Sequence, residues 1–551
     1  MRLRTTGLVA LISAVSAATS YAAETQQVEW TQQWTDAYSF SFASEVSVGP
    51  GGNAYLIGFG PSTYVRKYSP SGSLVWESFF PDDSTDAKEM AFDSQGNIYG
   101  AGSVRPTGTD RYYDGVVTKF APDGTVVWSQ EFGTLVAGGS GTSGWDAAEG
   151  VVVDSSDNVY AALYVEGDFD GTWAGGQDIA LIKFAPNGTE LFRKQWGTTG
   201  DDRTTDAAID ASGNIYVLGE TTGDLYGTHL GGYFDNFLVK VGPDGTVIWG
   251  RQFGSSGGEI GTGMAVDNVN GFVYLSTTVD NSQSWATKYD LDGNQIWSKQ
   301  VGGATGSQGG GTGGVVDDRG NWIYALNGDT WNGQSLPAYG GVVVKLDPAG
   351  NEVWNFPLNN PDEAPIYASS FNPSDLSIYV VGGTEGAFPG QTQSGIRDAF
   401  LMKISQTIPV VVDPTAKVDP SVDIGNNVSV GAESLLHKDG SIGDNSNIGA
   451  DCIIHKDFDI DNDCDIQDGS SLHKGVKLYP FVTIEAYAVL HQYVTVYTGA
   501  TVGTRSVVRQ GSSVGAGAVL GADVIVPING VVPAGCIYTS PGLFDAVNCT
   551  Y

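Results

Sequence analysis

Four of the five histidines in this 551-residue chain, His437, His455, His473 and His491, are spaced 18 residues apart. Imidazole is the side chain that ordinarily changes charge between pH 5 and 8, and its neutral ring nitrogens ligate zinc, nickel and copper. Such a ladder offers a divalent transition-metal site or an assembly surface controlled by pH. Lys438, Lys456 and Lys474 follow the first three histidines and make the stripe basic. The competing reading is a duplicated segment that carried its histidine along as a surface column. Asp457, Asp459, Asp461, Asp463 and Asp465 alternate between two of the histidines and supply the hard oxygen ligands calcium takes. They lack the glycine of an EF-hand loop, so a solvated acidic face stands beside the calcium reading. Cys536 and Cys549 bracket the C-terminal end and are expected to pair. Cys452 and Cys464 are either a second bridge or two buried thiols. His229, in Tyr226-Gly227-Thr228-His229-Leu230, reads as an exposed loop residue.

The elements that position the ladder are written in a strict period of six. An aliphatic residue recurs at Val418, Ile424, Val430, Leu436, Ile442 and on to Val526 and Val532, twenty times without a break. Neither the helical period of 3.6 nor strand alternation produces this spacing. Three hexads make one triangular coil of 18 residues, which puts one histidine per coil at the same corner. The segment resembles the left-handed parallel β-helix of hexapeptide-repeat proteins, and the resemblance implies about six coils over residues 415–538. Members of that family are often trimeric acyltransferases, and some are zinc carbonic anhydrases of the γ class, so the resemblance also implies a homotrimer and raises two enzymatic readings. The γ-class pattern pairs histidines two coils apart, as His437 and His473 are, with a third about five residues beyond. Here that place is Leu478, or Val496 for His455 and His491, both core positions of the hexad. Coenzyme A is not expected outside the cytoplasm.

Upstream another phrase recurs: an aliphatic pair and Asp, then Gly-Asn-x-Tyr, then Lys-x-x-Pro-Asp-Gly-Thr-x-x-Trp. Its first half appears in seven copies, among them Gly96-Asn97-Ile98-Tyr99 and Gly213-Asn214-Ile215-Tyr216. Each copy has room for one small antiparallel sheet with a hairpin turn, and such sheets bury both faces only by packing around a common axis. The seventh copy lacks its Trp-bearing strand, and Val28 to Trp34 supplies an orphan one that closes the ring. The repeats resemble the bacterial seven-bladed propeller family called SBBP repeats, which implies an exported propeller over residues 24–407 and no particular reaction. Asp290-Leu291-Asp292-Gly293 invites a calcium reading, but every copy needs such a turn with or without an ion.

Composition narrows the function. With 27 basic and 62 acidic residues, a net charge of −35 repels phosphate backbones and excludes nucleic acid as a partner. Residues 1–22 read as a secretory signal peptide, with Arg2 and Arg4, an apolar run and Ser20-Tyr21-Ala22. No other stretch is apolar enough to span a bilayer. The expected order is therefore signal peptide 1–22, propeller 24–407, linker 408–414, β-helix 415–538 and tail 539–551, an all-β chain. The expected function is a non-enzymatic binding or scaffold protein, secreted, periplasmic or at the cell surface. Its propeller would present a face to an extracellular glycan or protein, and its β-helix would oligomerise or attach. The rivals are an extracellular enzyme, working at the histidine ladder or as a propeller-face hydrolase or lyase, and a structural surface-layer component.

Overall fold

A computed structural model of the chain describes residues 25–35, 40–60, 62–81, 84–105, 113–134, 145–279, 283–301, 314–317, 319–331, 334–358, 360, 362–407, 411–413, 415–425, 428–443, 445–544 and 549–550. The signal-peptide expectation lies outside these residues. Internal contacts divide the chain into two units, Gln26–Gln406 and Thr407–Tyr551.

The first unit is a seven-bladed propeller, each blade a four-stranded sheet. Six blades are consecutive, over 42–79, 84–132, 147–196, 202–253, 259–300 and 314–357. In the seventh, strands Ile366–Asn372, Ser377–Thr384 and Asp398–Thr407 are completed by the N-terminal strand Thr25–Trp34, which pairs with Asp398–Thr407. The ring closes by joining its own two ends.

The recurrent phrase is the adhesive between and within blades. Asp93 accepts hydrogen bonds from the backbone and side-chain amides of Asn97 (2.9 and 2.8 Å) and from the Tyr99 hydroxyl (3.1 Å), and lies 3.1 Å from the Lys119 ammonium. Burial opposes its charge, yet the Asn97 bonds and Lys119 outweigh that and hold its carboxyl below the usual range. Asp154, Asn158, Tyr160 and Lys183 repeat the arrangement, as do Asp210, Asn214, Tyr216 and Lys240. The tryptophan of one blade docks on the hairpin turn of the next. Trp30, Trp76 and Trp128 donate their indole N–H to the carbonyls of Pro70, Pro122 and Pro186, at 3.0 to 3.1 Å. The same chemistry organises the Asp290 turn as a hairpin. Asp290 accepts from the amides of Asp292 and Asn294, the Leu291 carbonyl accepts from Trp249 and Lys240, and Gly293 at φ 78° lies under the Trp249 ring.

The second unit is a parallel β-solenoid whose two-residue strands pair with strands 18 positions away, as Leu435–Leu436 does with Ile453–Ile454. Three sheets of eight, eight and seven strands make about seven turns, one more than the hexad count implies. The extra strands lie beyond the aliphatic column. Val411–Val412, inside the segment read as a linker, pairs with Ser429–Val430, and Ile537–Tyr538 and Gly542–Leu543 extend the far end. The hexad residues from Val430 to Val532 are buried, with Cys452, Cys464, Ala488 and Ala500 beside them. Cys452 and Cys464 are free thiols, whereas Cys536 and Cys549 form a disulfide that ties down the last turn.

Candidate functional site

The innermost strands of the seven blades surround a central channel of about 650 Å³. Six of them break register at an equivalent point, among the described residues: between Ala43 and Glu45, Ala87 and Glu89, Ala148 and Gly150, Thr204 and Asp206, Gly261 and Gly263, and Ile366 and Ala368. A β-bulge inserts one residue, leaves backbone groups unpaired and re-aims side chains. Here it turns Lys88 and Glu149 into the channel, with Glu45, Glu89 and Asp206 immediately after three of the bulges. Two carboxylates cap amides of the following blade. Glu89 accepts from the Val151 N–H (2.8 Å) and Asp206 from the Met264 N–H (2.6 Å).

Glu45, Asp86, Glu89, Glu149 and Asp206 thus face the single ammonium of Lys88 in this channel lining. Burial, followed by the charges of Asp206 and Glu45, pushes the Glu89 carboxyl well above the ordinary range; burial and Asp206 do the same to Glu45. Burial raises Asp206 to about 7 despite its backbone hydrogen bonds, and raises Glu149 to about 7 despite Lys88. These channel carboxyls therefore keep their protons to higher pH than exposed carboxyls do. Against it lies a side pocket of about 240 Å³, where Tyr113, Trp145 and Tyr164 meet Asp86, Asp146 and Glu149. The Trp145 ring stands edge-on to Tyr113 at 5.4 Å and remains half exposed.

On the solenoid the four histidines do stack, ring centroids 5.2, 5.0 and 5.0 Å apart. The first three line a basic groove with Lys438, Lys456 and Lys474. Burial and then the neighbouring imidazoles pull His455 and His473 below their usual range. No group of three or more His, Cys, Asp or Glu suited to a metal ion occurs among the described residues. The five aspartates do not converge. Asp457 sits at the histidine corner, 3.1 Å from Lys474, while Asp459 and Asp465 lie on two different sheets. Asp459, Asp463 and Asp465 accept from Ser441, Asn445 and Asn447 of the preceding coil at 2.8 to 3.0 Å. His229 is not a free loop residue: its Nδ1 lies 3.4 Å from the buried carboxylate of Asp235.

These shifts predict opposite pH responses from the two units. Unfolded carboxyls titrate near 4, whereas the folded channel retains protons up to about 7, so the native propeller binds more protons in that interval and gains stability as pH falls. His455 and His473 titrate lower when folded, so the solenoid loses stability as pH drops through about 6.5. Calorimetry at pH 7.5 and pH 5 is expected to raise the propeller transition by on the order of 5 °C and to lower that of the solenoid. Movement of both transitions in one direction contradicts the assignment.

No family model matches the chain. A viral protein described as an uncharacterized WD repeat-containing protein, L264 of Acanthamoeba polyphaga mimivirus, is 23% identical over 318 residues, covering 47% of this chain and 21% of its own length. The chain thus spans about a fifth of that curated relative, whose repeat type accords with the propeller. Among solved structures, a protein of unknown function from Bacteroides caccae covers 58% of this chain and 93% of its own, with 12% identity and a TM-score of 0.34, too low to carry an argument. Among the described residues, no helix is long and apolar enough to cross a membrane.

Proposed function

We propose that this chain is an exported, non-enzymatic binding and scaffold protein whose propeller channel receives a positively charged group, such as the amine or guanidinium of an extracellular protein segment. A propeller repeat fold by itself suggests binding or scaffolding. The observation that carries the finer reading is the channel lining, five carboxylates against one ammonium. The side pocket, with Trp145 and Tyr113 beside carboxylates, gives an aromatic platform next to that charge and suits an apolar or sugar moiety attached to the cation. The solenoid is the attachment or oligomerisation module, its histidine ladder the surface where pH or a metal shared with a second copy acts. The quoted phrases support SBBP-type repeats and a left-handed hexapeptide solenoid. The leader-like N-terminus and the Cys536–Cys549 disulfide support an extracytoplasmic location.

Isothermal titration of the full chain with tetralysine and spermidine, against a neutral oligosaccharide, tests the reading. Binding is expected for the cations, tightening between pH 6 and 8 as the channel carboxyls lose their protons. Glu89→Gln with Asp206→Asn is expected to weaken it at least tenfold, since each amide can still accept from the next blade. Equal affinity for the neutral sugar, or affinity unchanged in the double variant, overturns the channel as the site. Carbonate hydration abolished by His473→Ala overturns the non-enzymatic reading.

A further inference from the structure

We propose that two junctions between successive blades are calcium sites, one built by Asp178 and Asp202 and the other by Asp235 and Glu259. Asp178 and Asp235 begin the third strands of the third and fourth blades, while Asp202 and Glu259 begin the first strands of the blades that follow. Each pair meets over one glycine, Gly197 or Gly254. A side chain added at Gly197 would collide with Oδ1 of Asp178 and lie 3.0 Å from Oδ2 of Asp202; one added at Gly254 would lie 2.7 Å from Oδ1 of Asp235 and 2.9 Å from Oε2 of Glu259. The carboxylates of each pair converge beside a residue whose lack of a Cβ gives them room.

The first aspartate of each pair is fully buried and only half satisfied. Oδ2 of Asp178 accepts from the Gln195 side chain (3.0 Å) and the Ala174 N–H (2.9 Å), and Oδ2 of Asp235 accepts from Gln252 (2.8 Å) and the Leu230 N–H (2.9 Å). Oδ1 of both residues is buried with no hydrogen-bond donor, and both side chains are 0% exposed. A bare carboxylate oxygen in that position is costly unless a cation or a proton meets it. The seventh blade provides an internal control. Asp398 occupies the same place, its Oδ2 bound by Gln33 (3.0 Å) and the Ser394 N–H (2.9 Å), but the following blade begins with Ser41 instead of an acid. There the second oxygen is satisfied, by the Gly395 N–H at 2.8 Å. An oxygen is left bare where a second carboxylate faces it.

The charges around the sites agree. Asp202 is held by the Thr198 N–H (2.5 Å) and the Thr221 hydroxyl, and Glu259 by the Ser255 hydroxyl. Asp170 and Asp201 add further negative charge at the first junction. The adjacent Arg203 faces Asp201 and Glu220 instead, at 3.6 and 3.8 Å, and His229 Nδ1 lies 3.4 Å from Oδ2 of Asp235. Burial, and then the charge of Asp202, lifts Asp178 to about 6 when no cation is present. Two carboxylates with the Thr221 or Ser255 hydroxyl beside them form an all-oxygen, irregular donor set that suits calcium better than the octahedral demands of magnesium, at the 10⁻⁴ to 10⁻³ M affinities of extracellular modules.

Thermal scans of the EDTA-stripped full chain at pH 7.5, with calcium or magnesium at 0, 1 and 10 mM and constant ionic strength, test the proposal. Calcium is expected to raise the propeller transition by 3 °C or more at 10 mM, and magnesium by less than 1 °C. Terbium is expected to luminesce through Trp196, the neighbour of Gly197. Asp178→Asn with Asp235→Asn is expected to abolish both signals, whereas Asp459→Asn with Asp461→Asn in the solenoid leaves them intact. If the first variant fails to fold, Gly197→Ala, which fills the first cradle and keeps every charge, is expected to lose the Trp196-sensitised signal. A wild-type propeller indifferent to calcium overturns the proposal in favour of a shared proton. So does a calcium shift that survives Asp178→Asn with Asp235→Asn, or a Trp196 signal that survives Gly197→Ala.

Discussion

Removal of residues 25–34 is expected to lower the melting temperature of the propeller by roughly 5 °C or more while the solenoid transition stays in place. The strand Thr25–Trp34 is the fourth strand of the last blade and its link to the first. Trp30 packs edge-on against Tyr379 at 5.8 Å and bonds the Pro70 carbonyl of the first blade. The Trp34 indole donates to the Tyr64 hydroxyl (2.9 Å), Gln33 holds Asp398, and Glu29 lies 2.8 Å from the Lys403 ammonium. Losing two partly buried indoles and these bonds costs on the order of 5 kcal/mol, at about 1 kcal/mol for each hydrogen bond and more for the aromatic area. It also exposes Asp398–Thr407 as an unpaired edge. A synthetic peptide of residues 25–35 is expected to restore the transition by adding back the strand. An unchanged melting curve contradicts this account of closure.

The second large effect is expected from Lys345→Ala. The side chains of Lys345 and Asp317 are 1% and 3% exposed and lie 3.1 Å apart. Asp317 also holds the turn through the backbone and side-chain amides of Asn321. Removing the ammonium strands a buried carboxylate, which costs about 3–5 kcal/mol. In Lys183→Ala the corresponding Asp154 is 12% exposed, so water reaches it and the cost is smaller. Lys345→Met with Asp317→Asn removes both charges and is expected to recover at least half of the loss. Denaturant unfolding of the three variants settles the order. Equal costs for Lys183→Ala and Lys345→Ala contradict the burial argument.

The two periods were legible because each is enforced at every repeat. A hexad residue faces a closed apolar interior in every coil, so Ile442 and Val514 obey one rule, and the 18-residue coil that follows makes the histidine stack a geometric consequence. The Gly-Asn-x-Tyr phrase was legible for the same reason, since Tyr99, Tyr160 and Tyr216 each reach the turn aspartate of their own copy, Asp93, Asp154 and Asp210. The channel was not. Its residues stand at bulges, and a single inserted residue defeats strand alternation, so a period of two read along Ala147–Val153 misplaces Glu149. The identities also change from blade to blade, Ser44, Lys88, Glu149 and Thr205, because the channel is shared and no single blade must repeat it. The junction carboxylates escaped notice because Asp178 and Asp202 belong to different copies of the repeat. The surroundings of His229 are not legible from its loop, because Asp235, 3.4 Å from its Nδ1, begins the following strand.

The closing strand has a mechanical consequence. The two ends of the propeller chain, Thr25–Trp34 and Asp398–Thr407, are neighbours in one sheet. Tension applied between residues 25 and 407 therefore runs through one pair of strands and bypasses the other six blades. The seventh blade acts as a clasp, the first element to yield under pull, and the remaining ring carries load only after it has opened.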